Sequence, residues 1–353
     1  MQGAPDIALV SLGTTPGLRR SDQAFFEMAR TAGLSCQMVN VGVGRSGSLR
    51  RQSTMTDIIE ARAARNAATG VRAKVIVYST VTAALMQKPT GPYAVRFDST
   101  AAENRQGPSG SWSRRREAKA LAGAKLLLPL GDAARNTIPK EASDVPAIPL
   151  HVPVEGTLTA QRSASTAGSG ERDIDALAYA GDPQKRGLDV LMQAWDSSGL
   201  AGVRSLRVTG IDRTRALQWL KRRRIEEPTG VEWSGLVEPG EFRDMLSRTR
   251  VFVNASRRED HGLSQLEALA AGAALVTVSS EGPYEALPLA TQLNSRLVSP
   301  GVSADSLADA IRAGFAVDLD DYSRRAAELL EPYRKEAITQ VFTERVMPAL
   351  GLR

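Results

Sequence analysis

Cysteine occurs once in the 353 residues, as Cys36, so no disulfide can form within the chain, and a reducing, cytoplasmic setting is expected. Histidine occurs twice, as His151 and His261, far apart in sequence, which excludes a metal centre built from histidines. No apolar run approaches the length of a membrane span. The opening MQGAPDIALVSLGTTPG lacks the basic and apolar regions of a secretory leader, and none is expected. The basic stretches carry no interleaved aromatics and no recognised binding motif, so nucleic acid is not an expected partner, although the positive balance alone would allow one.

Positive charge is plentiful and unevenly shared. The net charge is +6, yet residues 1–150 hold 20 Lys and Arg against 11 Asp and Glu, a balance of +9, leaving −3 for the rest. Such a field suits an anionic partner, including a membrane surface or a phosphorylated acceptor; an Arg-rich surface without a partner is the plain alternative. The length suits two domains.

Hydrophobic runs alternate with helical patterns in both halves, as expected for α/β units with parallel sheets. Strands are expected at Ile7–Leu12, Gln37–Val41, Lys74–Tyr78, Tyr93–Phe97, Lys125–Pro129 and Ile148–Val152 in the first half. The helices between them are expected at Ser21–Ala32, Met55–Ala68 and Arg114–Ala122. Gly42-Val43-Gly44-Arg45-Ser46-Gly47 matches a dinucleotide fingerprint but follows the second strand, and no acidic residue ends the next one. A flexible basic loop, Arg45–Arg51, fits better. Gly156–Arg172, rich in Ser, Thr, Ala and Gly, reads as a linker. The pattern then restarts with strands at Ala176–Ala180, Ser205–Thr209, Val251–Val253 and Ala274–Val278. Helices are expected from Leu188 through Trp195, at Glu241–Ser247, and at Ser303–Phe315, Leu319–Leu330 and Lys335–Leu350.

The most informative stretch is Val251–Thr277, which reads strand, polar loop, short helix from Leu263, stop at Gly272, strand. Glu259 and Glu267 bracket the loop and the helix, with seven residues between them. Gly262 allows close backbone approach, and the amides of Leu263 and Ser264 sit at a helix N-terminus suited to an anion. Ser264-x-x-Glu267 also has the form of a capping box, in which Glu267 would only secure the helix.

Ser256-x-x-Glu259-x-x-Gly262-x-x-x-x-Glu267-Ala268-x-Ala270-x-Gly272 resembles the E-x7-E signature of retaining glycosyltransferases of family 4, with the GT-B fold. The resemblance implies two Rossmann-like domains facing across a cleft. An acceptor domain would span 1–155, a nucleotide-sugar domain 156–335, and a last helix, 336–353, would cross back to the first domain. It implies that Glu259 touches the donor sugar and Glu267 the ribose, with the amides after Gly262 on the diphosphate and His261 beside them. Gly181-Asp182-Pro183-Gln184-Lys185-Arg186-Gly187 resembles the family's second glycine loop, which makes Arg186 and Lys185 the diphosphate cations. Relatives commonly carry Arg where Asp182 stands. Gly13 in the first loop, Gly210, and Gly235 in the segment Val231–Gly235 complete the donor-binding set. Relatives carry a His-Asp pair near Phe97-Asp98; Asp98 is left to orient or deprotonate the acceptor hydroxyl.

The implied reaction moves a sugar from a nucleotide diphosphate to an acceptor hydroxyl with retention, in cell-surface glycan, glycolipid or glycoconjugate synthesis. The expectation is an enzyme that uses no metal or cofactor, sits in the cytoplasm and touches the inner membrane face peripherally. A nucleotide-sugar epimerase or hydrolase of the same fold would share these motifs.

Overall fold

The computed structural model describes residues 3–42, 54–154 and 172–353. The basic loop and nearly all of the linker expected from sequence lie outside them. The chain divides into two compact units, one of residues 1–153 with 335–353 and the other of residues 154–334.

The first unit is built on five parallel strands: β1 (Ile7–Ser11), β2 (Cys36–Asn40), β3 (Val75–Tyr78), β4 (Tyr93–Phe97) and β5 (Leu126–Pro129). Their order is β2-β1-β3-β4-β5, so the connections reverse direction between β1 and β3. β1 is wholly buried, as its unbroken apolar run requires for a parallel strand covered on both faces.

The first helix starts at Pro16 rather than Ser21. Thr15 caps it by accepting the Leu18 amide at 3.1 Å, and Pro16 takes the first position, where no amide is needed. Ser21 and Asp22 are buried instead, against Arg96 of β4, with Asp22 3.2 Å from its guanidinium. Burial pushes the Asp22 carboxyl up, and the Arg96 charge pulls against it.

Ile148–Val152 does not form the sixth strand that its apolar content predicts. The segment runs beside β5, with Ile148 donating to Leu127 at 3.0 Å and Leu150 to Pro129 at 2.9 Å. Pro129 of β5 has no amide to give to the Ile148 carbonyl, and among the described residues only one bridge, Leu127 to Ala147, forms here.

Lys335–Leu350 belongs to the first unit and places Ile338, Phe342, Val346 and Leu350 in its core, where Phe342 meets Phe25 edge-on at 5.7 Å. It is not one regular helix. A π turn at Phe342–Val346 precedes Pro348, whose missing amide breaks the regular ladder.

The second unit carries β6 (Ile174–Tyr179), β7 (Leu206–Thr209), β8 (Val231–Gly235), β9 (Thr249–Asn254), β10 (Ala274–Val278) and β11 (Val298–Ser299). The order is β11-β10-β9-β6-β7-β8, all parallel, with the reversal between β6 and β9. Two helices that the sequence pattern did not announce, Arg213–Lys221 and Ala286–Asn294, lie in this unit. Among the described residues, no helix is long and apolar enough to cross a membrane.

In the first unit the helix Ser111–Ala122 buries Glu117, whose two carboxyl oxygens accept the Ala101 amide at 2.9 and 2.7 Å. Burial pushes the carboxyl from 4.5 up to about 8, against the downward pull of that amide. The folded state therefore holds a proton that the unfolded chain releases near 4.5, and this stabilisation fades as pH rises from about 4.5 to about 8. Glu117→Gln, neutral at every pH, should gain stability relative to the natural protein across that window. Urea unfolding at several pH values measures the difference, and a difference flat with pH would contradict a raised pKa.

Candidate functional site

The reversal between β6 and β9 sends their following loops in opposite directions at the carboxyl edge of the second sheet, the place where open α/β sheets receive ligands. Gly181–Gly187 follows β6, and Ala255–Gly262 follows β9. The two loops are joined closely. Gly187 has φ of 62°, and a Cβ there would stand 2.1 Å from the Ala255 carbonyl oxygen, so only glycine fits. The Arg257 amide donates to the Lys185 carbonyl at 2.9 Å, and its guanidinium makes a two-pronged pair with Asp189 at 2.8 and 2.7 Å. Asp182 accepts the amides of Gln184 and Lys185 at 3.1 and 3.0 Å, so the residue standing where relatives have Arg shapes its own turn.

The joined loops bring the predicted charges together. Arg186 pairs with Glu259 Oε2, reaches Ser256 Oγ at 3.3 Å, and lies 5.4 Å over the Tyr179 ring. Lys185 pairs with Asp260 at 2.8 Å, and Asp260 also takes Arg258 at 3.1 Å. Burial pushes the Asp260 carboxyl up, but the Lys185 and Arg258 charges outweigh it and hold the group below its ordinary value. Asp260, Arg258 and Gln265 were not anticipated; the run of two cations and two carboxylates in Arg257-Arg258-Glu259-Asp260 was the available signal for the first two.

A buried polar network supports this cluster. Ser256 Oγ donates to Asn254 Oδ1 at 2.6 Å, Asn254 Nδ2 donates to Thr277 Oγ1 at 3.0 Å, and Thr277 meets the Tyr284 hydroxyl at 2.9 Å. Tyr284 packs under Gly262, where φ is 85° and a Cβ would come within 2.4 Å of the ring. Burial pushes the Tyr284 hydroxyl up, and it stays protonated.

The helix Leu263–Ala270 is capped by Gly262, in the left-handed conformation, and Ser264 lies inside its first turn. The capping box that Ser264-x-x-Glu267 has the form of, the alternative to a ligand role for Glu267, is therefore absent. Ser264 Oγ instead donates to Gln265 Oε1 at 2.9 Å, and Glu267 sits buried in the helix body. The Leu263 and Ser264 amides belong to the first turn, where an α-helix offers donors without intrahelical partners. His261 is buried, and its carbonyl accepts the Glu285 amide at 3.2 Å. Gly181, Gly210 and Gly235 line the adjoining sheet edge. Gly210 donates to the Gly235 carbonyl at 2.7 Å, and a Cβ on Gly210 would stand 2.8 Å from the Gly181 nitrogen.

Gly13 and Asp98 belong to the first unit. A cavity of about 140 Å³ lies at the carboxyl ends of β1, β3 and β4, lined by Thr14, Asp57, Thr80, Asp98, Arg105 and Glu117 among others. Arg105 is held by Asp57 at 2.8 and 2.6 Å. Gly13, with φ of 51°, turns the chain at this edge, and its carbonyl accepts Arg19 at 2.9 Å. Phe97, where relatives carry His, is buried in the hydrophobic core rather than at the cavity.

Residues 175–316 match the family model described as Glycosyl transferases group 1. No curated protein matches the chain. Among solved structures, sucrose-phosphate synthase from Thermosynechococcus elongatus is similar over 94% of this chain and 96% of its own, at 17% identity and a TM-score of 0.68. HepE from Anabaena, solved with UDP-glucose, is similar over 98% of this chain and 100% of its own, at 11% identity and a TM-score of 0.69. A UDP-forming α,α-trehalose-phosphate synthase from Burkholderia xenovorans aligns over 86% of this chain and 81% of its own, at 14% identity and a TM-score of 0.62. The segment that builds the site therefore matches the group 1 glycosyltransferase model, and the chain has the GT-B fold of these solved structures.

Proposed function

We propose that the protein transfers a sugar from a nucleotide diphosphate to an acceptor hydroxyl with retained anomeric configuration. The observation that carries this reading is the cluster at the β6/β9 switch point, where Arg186, Glu259 and the Gly262-capped helix N-terminus converge. The chemical demand is to stabilise charge on the departing diphosphate. Arg186, Lys185 and the amides of Leu263 and Ser264 are assigned that task, without a metal ion. Glu259 is assigned to the sugar hydroxyls and Glu267 to the ribose. Gly181, Gly210, Gly235 and the His261 backbone border the nucleotide. The acceptor hydroxyl is assigned to the first unit's cavity, with Asp98 orienting it or taking its proton.

Thermal shift with UDP-, GDP- and ADP-sugars tests the donor class directly; stabilisation by none of them would remove the reading. Arg186→Ala should lower turnover by about 100-fold, the scale of losing one donor to developing negative charge, while the protein still folds. Unchanged turnover would move the role to Lys185 or the helix terminus.

Because Glu267 is not a helix cap, Glu267→Gln should leave the melting temperature nearly unchanged. Losing an ionic acceptor for the ribose hydroxyls should raise the donor dissociation constant about tenfold, the difference between charged and neutral hydrogen bonds. Full affinity in the variant would contradict the ribose contact; a collapsed melting temperature would make Glu267 structural.

We further assign the enzyme a peripheral position at an anionic membrane, consistent with a glycolipid or cell-surface glycan acceptor. The support is the helix Thr54–Ala68, which exposes Met55 and Ile59, 72% and 40% accessible, one turn apart. Exposed Arg62 and Arg65 follow on the next turn. Apolar side chains beside cations suit an acidic lipid surface. Vesicle sedimentation should show binding that needs acidic lipid and fades with salt. Equal binding to neutral vesicles, or none to either, would overturn this assignment.

A further inference from the structure

Among the described residues, the hydrogen bonds that grip the carboxylate of Glu259 fall on one oxygen. Arg186 Nη1 and Gln265 Nε2 both donate to Oε2, the latter at 2.9 Å. Gln265 is 1% accessible, on the first turn of the helix Leu263–Ala270, and its own carbonyl is fixed by Ser264 Oγ at 2.9 Å. The carboxylate settles which end of the amide faces it: it can only accept, so the NH2 donates to Glu259 and the oxygen is left to accept from the Ser264 hydroxyl. A long side chain held at both ends by buried partners has one orientation, and it passes that orientation on.

The two donors are chemically unlike. Arg186 is a cation at the mouth of the loop, and a bound diphosphate competes with Glu259 for it. Gln265 is neutral, buried and has no such second attraction. Once an anion draws Arg186, the amide still holds the carboxylate. The helix turn that supplies Gln265 is the same one that holds the Leu263 and Ser264 amides, so the anchoring of Glu259 is tied to the element assigned to the diphosphate.

We infer that Gln265 is a positioning residue that holds Glu259 Oε2 and turns Oε1 toward the sugar hydroxyls of the donor, so that recognition of the sugar, as distinct from the nucleotide, depends on it. This rests on the nucleotide-sugar reading above. It concerns how the sugar is distinguished, and it leaves the diphosphate contacts to other groups. The sequence gives a local reason to separate the two roles: the neighbouring Ser264 and Leu263 act through backbone amides that a change of the Gln265 side chain does not remove.

The test compares each nucleotide sugar with its own free diphosphate. Binding of UDP-glucose and UDP, and of the GDP and ADP pairs, is measured by calorimetry in the natural protein and in Gln265→Met, which keeps the length and apolar packing but donates nothing. The expected result is unchanged affinity for the free diphosphate and about a tenfold loss for the nucleotide sugar, the scale of one hydrogen bond to a charged group. A second variant, Gln265→Glu, sets a carboxyl against Glu259. Its sugar discrimination should be lost at neutral pH and return as the pH is lowered and the pair shares a proton. A packing role would not produce that recovery.

Equal weakening of sugar and diphosphate would show a structural role only, and unchanged affinity for both would show no role; either result overturns the inference. Should the natural protein bind no nucleotide sugar, the donor reading itself falls, and the inference with it. Binding by the natural protein with unaltered variants would instead leave the donor reading intact and remove only the part given to Gln265.

Discussion

At Gly187 the backbone of one loop passes so near the Ala255 carbonyl that no side chain fits between them. Most of the site follows from that approach. It brings the Lys185-Arg186 pair onto the Glu259-Asp260 pair, each cation opposite a carboxylate. It also sets the Arg257 amide on the Lys185 carbonyl, so the two loops share a hydrogen bond as well as their charges. A larger residue at Gly187 would have to push the loops apart, and the ion pairs would lengthen together. The position joins left-handed geometry with a close contact, and glycine alone satisfies both.

The second constraint works from beneath. Tyr284, Thr277, Asn254 and Ser256 form a closed run of hydrogen bonds under the loop, and Ser256 passes its support to Arg186. These groups are buried, and a buried polar group that loses its partner is expensive, so the network resists partial rearrangement. The site therefore rests on strand ends and on a packed tyrosine rather than on the loops alone.

The sequence made much of this legible, and the physical reason is simple. Parallel strands buried on both faces leave unbroken apolar runs, so β1, β4, β9 and β10 could be placed from their residues. The spacing of Glu259, Gly262 and Glu267 marked the loop and the helix after it. Failures came where a local pattern had two uses. Ser21-Asp22 looked like a helix start but faces Arg96 inside the protein, because a buried guanidinium needs a carboxylate more than the helix needs a second cap. Ser264-x-x-Glu267 had the form of a cap, yet Gly262 had already taken that position. Ile148–Val152 had strand composition, but Pro129 of the neighbouring strand has no amide to complete the ladder. Gln265 gave no signal, since the value of a glutamine depends on which group lies across from it.

One property of the cluster bears on which molecules it admits. Lys185, Arg186 and Arg258 each have a carboxylate partner within the same pair of loops, and Arg257 has Asp189 on the helix that follows the first of them. A site so compensated projects little field into solution, because opposite charges a few ångströms apart cancel at a distance. It does not act as an electrostatic funnel for anions in general, and phosphate or a free nucleotide gains little from approach alone. An incoming molecule has to exchange the internal pairs for its own contacts, and only one able to satisfy both the released cation and the released carboxylate completes that exchange without leaving a charge stranded. A diphosphate joined to a polyhydroxylated group offers both at once. Simple anions offer one, so the same pairing that quiets the site also filters what can occupy it.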